Sequence, residues 1–217
     1  MARKRTAVLI SGRGSNMTAL IEAARDESYP AEIALVVSNR PDAGGLLRAA
    51  EAGIATAVVD HKTYGKDREA FERALQDVLL QHRIEVVCLA GFMRILTAWF
   101  VGQWPNRMLN IHPALLPAFK GLDTHRRAIE AGVRDHGATV HFVVPEMDSG
   151  PIIAQGRVPV LPGDTEDELA KRVLAVEHRI YPLALNLVAA DRVHVKGERC
   201  VISGAISTAE AAYLPAQ

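Results

Sequence analysis

Short apolar runs alternate with amphipathic segments through the first half of the chain. The runs are rich in β-branched residues and end in polar or glycine-containing turns, at Thr6–Ser11, Glu32–Ser38, Ala55–Val59 and Glu85–Ala90. Between the last two, Lys66–Arg83 has apolar residues spaced for one face of a helix. Continuously apolar strands separated by helices indicate a parallel sheet covered on both faces. The pattern predicts an α/β fold with a doubly wound, mostly parallel sheet and a Rossmann-like N-terminal half.

The second half continues with three predicted strands, Arg107–Ile111, Thr139–Val144 and Ile152–Val160. Thr165 opens the longest predicted helix, because Glu168 three residues later completes a capping box. Pro182 is expected to kink or end that helix.

The tail from Asp191 indicates two short strands and then a loose, alanine-rich end. The sequence has no internal repeat, low-complexity linker or composition shift. We therefore expect a single domain over residues 1–217, with a core at about 5–190 and a short C-terminal extension at 191–217.

Composition narrows the possible partners. Lysine plus arginine (25) equals aspartate plus glutamate (25), so no overall field attracts nucleic acid or an anionic membrane. Ala7–Ile10, the apolar stretch after the basic start, is too short for a signal peptide or a membrane span. Two cysteines, Cys88 and Cys200, do not form a disulfide framework, and Cys88 is expected to be buried. We expect a cytoplasmic protein, monomeric or homodimeric, that acts on small molecules.

The first candidate site is the turn Ser11-Gly-Arg-Gly-Ser-Asn16, directly after the first strand. Glycines allow a tight turn, and the N–H groups at the start of the next helix point at any anion placed there. A dinucleotide site would need a glycine near Met17 and an acidic residue where Asn39 and Arg40 stand. A single phosphate therefore fits better than NAD, and the alternative is a turn without a ligand.

The second candidate is Gly91-Phe-Met-Arg-Ile-Leu96, after the fourth strand. An apolar segment at this edge of a sheet, with one arginine, can line a pocket for a flat aromatic ligand. The alternative is a helix start that packs on the core.

The third candidate follows from alternation in a strand, which turns Asn110 and His112 to the same side. Pro113 then stops the hydrogen-bonded ladder. Asp148, in the loop Glu146–Gly150, could meet His112 and favour its charged form, although Asp-Ser-Gly is also a common turn sequence.

A metal site has weak support. His136 and His141 are five residues apart, and the sequence has neither His-Glu-x-x-His nor Cys-x-x-Cys. We therefore expect no metal.

An amide donor and a cationic imidazole on one side of a site stabilise a developing oxyanion. Ser15 belongs to the turn Ser11–Asn16, which is the candidate phosphate site, and Cys88 is expected to be buried. Neither is therefore a plausible nucleophile. Direct acyl transfer to an amine through a tetrahedral intermediate suits these residues better than a covalent acyl-enzyme.

Five stretches in this order carry a specific resemblance: Ile10–Asn16, Leu89–Leu96, Leu109–Pro117, His136–Val143 and Asp148–Ile153. Through them the chain, from the first strand to Ala190, resembles the folate-dependent formyltransferase family, and within it the members that act on phosphoribosylglycinamide. The resemblance implies that the formyl group of 10-formyltetrahydrofolate, a co-substrate, is transferred to the amine of 5-phosphoribosylglycinamide in de novo purine biosynthesis.

The resemblance also implies residue roles. Asn110, His112 and Asp148 match the catalytic trio of the family. The phosphorylated substrate is implied to contact Gly14, Ser15, Asn16 and Glu177. The folate is implied to contact Arg68, Met93, Arg94, Ile95, Leu96, Asn110, Val144 and Met147. Without the resemblance, Glu177 is equally explained by a solvated helix face, and Arg13 has no assigned role.

Other functions are weighed against this one. Methionyl-tRNA formyltransferase and formyltetrahydrofolate deformylase share the core but carry further domains, so the length of 217 residues disfavours both. A deformylase-like hydrolase is the nearest alternative. In a different class, a nucleotide-binding dehydrogenase is weakened by Met17 and Arg40, and a binding module would leave Asn110, His112 and Asp148 unexplained.

Overall fold

The computed structural model describes residues 2–214. Its main strands are β1 (Lys4–Ile10), β2 (Ala31–Ser38), β3 (Thr56–Val58), β4 (Val86–Leu89), β5 (Met108–His112), β6 (Asp135–Phe142) and β7 (Ile152–Pro159). They form one sheet in the order β3-β2-β1-β4-β5-β6-β7. The pairs β1–β2, β1–β4, β2–β3 and β4–β5 are parallel, and β6–β7 is antiparallel. The predicted α/β class and mostly parallel sheet are confirmed, with strand ends that differ by a few residues.

The helices fall mainly between the strands, as the amphipathic segments predict. They are α1 (Ser15–Ala23), α2 (Gly44–Glu51), α3 (Arg68–Gln81), α4 (Ala98–Gly102), α5 (Thr124–Glu130), α6 (Glu166–Ala189) and α7 (Thr208–Ala211), with a short 3₁₀ helix at His61–Tyr64. The helix predicted over Lys66–Arg83 is α3, and Asp67 caps it by accepting a hydrogen bond from the N–H of Ala70.

The chain divides into two compact units, Met1–Asn110 and Ile111–Gln217. In the first, β4 and the second half of β1 are buried, as strands covered on both faces must be. In the second, α6 packs on β6 and β7. Gly156 allows this close packing, because a Cβ there would lie 2.3 Å from Cγ2 of Val176. The single domain expected from the sequence stays a prediction.

The capping box of α6 is present, and Thr165 and Glu168 each bind the backbone N–H of the other. The helix does not end at Pro182 but continues to Ala189, so that part of the prediction is wrong. A proline inside a helix costs about 3 kcal/mol. The buried residues after it include Leu185 and Leu187, and each such side chain contributes about 1.5–3 kcal/mol. Burial therefore outweighs the proline.

After α6, the two predicted short strands are present as β8 (Val193–Lys196) and β9 (Arg199–Ile202), and they pair antiparallel. The end that follows is not uniformly loose, because Ser207 and Glu210 form a capping box at α7. Residues 215–217, part of the predicted loose end, lie outside the described residues. Among the helices described, none is long and apolar enough to cross a membrane. Cys88 and Cys200 are buried and form no disulfide, and burial raises the pKa of Cys200 to about 12.

Candidate active site

The turn Ser11–Asn16 leads from β1 into α1. Gly14, the residue before the helix, has a left-handed backbone with φ 73°, which glycine adopts without strain. Ser15 and Asn16 are the first helical residues, and N–H groups at a helix start point toward an anion placed there. A cavity of about 250 Å³ opens here, lined by Ser11–Asn16 with Ala90, Gly91 and Met93. Its position and size suit a phosphate-bearing ligand.

Ser11 ties this turn to two neighbouring segments. Its hydroxyl donates to Oδ1 of Asn39 (2.6 Å) and accepts from the N–H of Met93 (2.7 Å), and its own N–H donates to the carbonyl of Gly91 (3.2 Å). Asn39, which is 2% exposed, occupies the place where a dinucleotide site would carry its acidic residue. Here that residue supports the turn from inside, which weighs further against a dehydrogenase.

The segment Gly91–Leu96 is an irregular loop between β4 and α4, so the alternative of a helix start packed on the core is wrong. Met93 and Ile95 are 67% and 64% exposed, while Arg94 and Leu96 are half-buried. Large apolar side chains are left in water here, beside a cavity that Met93 also lines. Such exposure is typical of a surface that receives an apolar ligand.

Asn110 and His112 both lie on β5, two positions apart, as the sequence predicted. Asn110 is half-buried and His112 is 5% exposed. Within the second unit, Nδ1 of His112 lies 3.5 Å from Oδ2 of Asp148. The two residues are 36 positions apart in sequence, and the fold brings them together.

Both partners of this pair are held by the segment Phe119–Leu122, which precedes α5. Nε2 of His112 lies 2.9 Å from the carbonyl oxygen of Phe119, and the N–H of Gly121 donates to Oδ2 of Asp148 over 2.9 Å. Each ring nitrogen of His112 thus faces an acceptor. Only the doubly protonated ring can donate to both at once.

Asp148 also approaches His141, whose Nε2 lies 3.8 Å from Oδ1. Burial lowers the pKa of His141, and its hydrogen bond to the carbonyl of Phe142 and the charge of Asp148 only partly oppose this. His125 and His136 pack edge to face, with ring centroids 5.3 Å apart. Burial lowers the pKa of His125, and it lowers that of His136 to about 4. These three histidines are therefore neutral at pH 7.

The remaining residues predicted to contact ligands differ in their exposure and in the elements that carry them. Glu177 is buried in α6, at 7% exposure, so the alternative of a solvated helix face is wrong for it. Arg68 is the exposed first residue of α3. Val144 is half-buried and Met147 is 55% exposed in the loop after β6. Arg13 is exposed and lines the cavity at the turn Ser11–Asn16.

Sequence reasoning missed the contribution of Phe119 and Gly121. Both act through backbone atoms, which leave no trace in the identity of a side chain. In sequence, His141 suggests only a metal ligand, because nothing local links it to Asp148. Among residues 2–214, no group of three or more His, Cys, Asp or Glu side chains is arranged to hold a metal ion.

The mostly parallel sheet, a glycine-rich turn at the end of β1 and a buried His–Asp pair whose histidine ends β5 are features of an α/β enzyme. The family of formyl transferases matches residues 4–185. The chain belongs to this family, which confirms the resemblance found in the sequence.

Similar proteins agree with this membership. Phosphoribosylglycinamide formyltransferase of Escherichia coli (strain K12) is 45% identical over 197 residues, which cover 91% of this chain and 92% of that protein. The crystal structure of glycinamide ribonucleotide transformylase 1 from Symbiobacterium toebii matches with a TM-score of 0.89 at 46% identity, covering 92% of this chain and 94% of that one.

A longer relative is the trifunctional purine biosynthetic protein adenosine-3 of Bos taurus. It is 50% identical over 193 residues, or 89% of this chain. The match spans only 19% of the length of that protein. The likeness therefore concerns one part of the trifunctional protein.

Proposed function

We propose that the protein transfers the formyl group of 10-formyltetrahydrofolate to the amine of 5-phosphoribosylglycinamide, a step of de novo purine biosynthesis. The observation that carries this proposal is the near full-length likeness to the Escherichia coli phosphoribosylglycinamide formyltransferase. The buried pair of His112 and Asp148 supports it chemically, because acyl transfer needs a stabilised oxyanion.

The phosphate of the acceptor binds at Gly14, Ser15 and Asn16 in this proposal. Backbone N–H groups at a helix start, beside a cavity of suitable size, favour a dianionic group. Glu177 serves the glycinamide end, where a carboxylate can accept hydrogen bonds from an amine or amide.

The folate binds against Met93, Arg94, Ile95 and Leu96. The exposed apolar side chains of this loop offer contact to a flat ring system. Asn110, Val144 and Met147 complete the donor site, and Arg68 serves the more distant part of the folate, whose carboxylates an exposed guanidinium can pair with.

The reaction proceeds by direct attack. The amine nitrogen bonds to the formyl carbon, and the carbonyl oxygen becomes an oxyanion that the amide of Asn110 and the charged ring of His112 stabilise. When the intermediate collapses, the bond from carbon to N10 of the folate breaks. The nitrogen that attacked loses a proton and N10 gains one, so N-formylated phosphoribosylglycinamide and tetrahydrofolate leave with the charges balanced.

The test is an absorbance assay for tetrahydrofolate formation, with phosphoribosylglycinamide present or absent. Turnover that requires the amine is expected. Turnover at the same rate without it would instead favour a hydrolase of the deformylase type. Absence of turnover in both arms would contradict the proposed function.

A further inference from the structure

The segment Phe119–Leu122 holds both members of the His112–Asp148 pair through its backbone, yet its own conformation is unfavourable. Phe119, the first residue of the segment, has a positive φ angle of 55°. Residues other than glycine rarely adopt this region, and such conformations persist only where surrounding contacts enforce them. The segment therefore needs support from outside its own backbone.

Arg127 on α5 supplies that support. Its Nη1 donates to the carbonyl of Lys120 over 2.7 Å and to that of Leu122 over 3.2 Å. Its guanidinium carbon also lies 5.6 Å from the ring centroid of Phe119, within the range of a cation–π contact. One half-buried side chain thus contacts three of the four residues of the segment.

We propose that Arg127 is a positioning residue, which keeps the carbonyl of Phe119 on His112 and the N–H of Gly121 on Asp148. This inference rests on the proposed formyl transfer. Arg127 does not touch the reacting atoms in this proposal. Without it, Phe119 can leave its left-handed conformation, and its carbonyl, the acceptor for Nε2 of His112, moves away.

Arg126 is a matched control within the same helix. It is exposed, and it pairs with Asp123 and Glu130 on the surface of α5. Surface ion pairs of this kind contribute little to the stability of the folded protein. A substitution there removes the same charge from the same turn of helix and leaves the carbonyls of Lys120 and Leu122 with Arg127.

The titratable groups around His112 decide which residue a pH profile of kcat reports on. Asp148 faces Nδ1, while His125, His136 and His141 lie nearby and are neutral above pH 6.5 because burial lowers the pKa of each. Lys120 donates to Ser149, and its Nζ lies 3.9 Å from Oε1 of Glu146. Loss of the Phe119 acceptor disfavours the doubly protonated ring of His112. The alkaline limb of the pH profile, where kcat falls as the pH rises, is therefore expected to move to lower pH.

The experiment compares wild type with Arg127→Met, Arg127→Lys and Arg126→Met, by kcat, by KM for both substrates and by pH profile. Arg127→Met keeps the aliphatic stem and removes the donors. We expect its kcat to fall by about tenfold to a hundredfold, as for a displaced catalytic group, with little change in either KM. Arg127→Lys should recover part of the loss, and Arg126→Met should match wild type.

Three outcomes would contradict the inference. Arg127→Met with the kcat and alkaline limb of wild type would overturn it, and so would an equal loss in Arg126→Met. Unfolding of Arg127→Met together with a wild-type profile in Arg127→Lys would assign the side chain to the fold alone. Inactivity of the wild-type protein would instead refute the proposed function, so the two failures are distinguishable.

Discussion

Nδ1 of His112 lies 3.5 Å from Oδ2 of Asp148, and the two side chains are only 6% and 10% exposed. A buried carboxylate without a partner is strongly unfavourable, and so is a buried imidazolium. Together they can be charged at once. In the proposed reaction, this arrangement keeps a positive charge available where the formyl oxygen becomes negative.

Replacing Asp148 with Asn keeps the shape of the side chain and removes its charge. The charged ring of His112 is then less favoured, so the alkaline limb of the kcat profile should move to lower pH. Activity should recover partly as the medium is acidified. The measurement is kcat against pH with saturating substrates, and a limb that stays or moves upward would exclude this role of Asp148.

Asn110→Ala and His112→Ala each remove one of the two groups assigned to the oxyanion. Loss of one such donor typically lowers kcat by a factor of about 10² to 10³. We expect each substitution to lower kcat by at least this much. Steady-state kinetics on folded variants provide the measurement. Variants that retain more than a tenth of the wild-type kcat would be inconsistent with the assignment.

Gly14→Val should weaken binding of phosphoribosylglycinamide and leave folate binding nearly unchanged. The left-handed φ of 73° disfavours valine, and a Cβ there would lie 3.1 Å from Cε of Met17. The turn must then shift away from the phosphate.

Gly44→Val is the matched control for this change. Gly44 is exposed at the start of α2, and a Cβ there meets nothing within 4 Å. Isothermal titration with each ligand separates the two effects. A Gly14→Val protein that loses folate affinity but keeps its affinity for the amine would place the turn at the other ligand.

His136 links stability to pH. Its pKa is about 4 in the folded protein against 6.5 for the free side chain, so between these values the unfolded chain binds a proton that the folded protein does not. Its contribution to stability is complete above pH 6.5 and is lost as the pH falls toward 4. The loss is at most about 3 kcal/mol.

His136→Phe keeps a ring against Phe119 and removes this titration. Urea unfolding at pH 7 and at pH 4.5 should therefore show a smaller drop in the free energy of unfolding for the variant than for wild type. An equal drop in both proteins would mean that other groups carry the acid sensitivity.

Local sequence alone determined those features that arise from neighbouring residues. Three such features are predicted by the sequence and present in the structure. They are the capping box of Thr165 and Glu168, the position of Asn110 and His112 two residues apart in one strand, and the turn Ser11–Asn16. Each depends on hydrogen bonds or geometry within a few positions, which the chain specifies before it folds.

Tertiary structure decided what distant segments do to one another. It continued α6 through Pro182 because burial of later residues outweighs the loss at proline, and it buried Glu177 where the sequence also allowed a solvated face. It brought Asp148 to His112, and it placed the backbone of Phe119 and Gly121 on the pair, with Arg127 behind them. Such contacts depend on how the chain returns on itself. Backbone atoms are alike in every residue, so their role becomes visible only in the folded molecule.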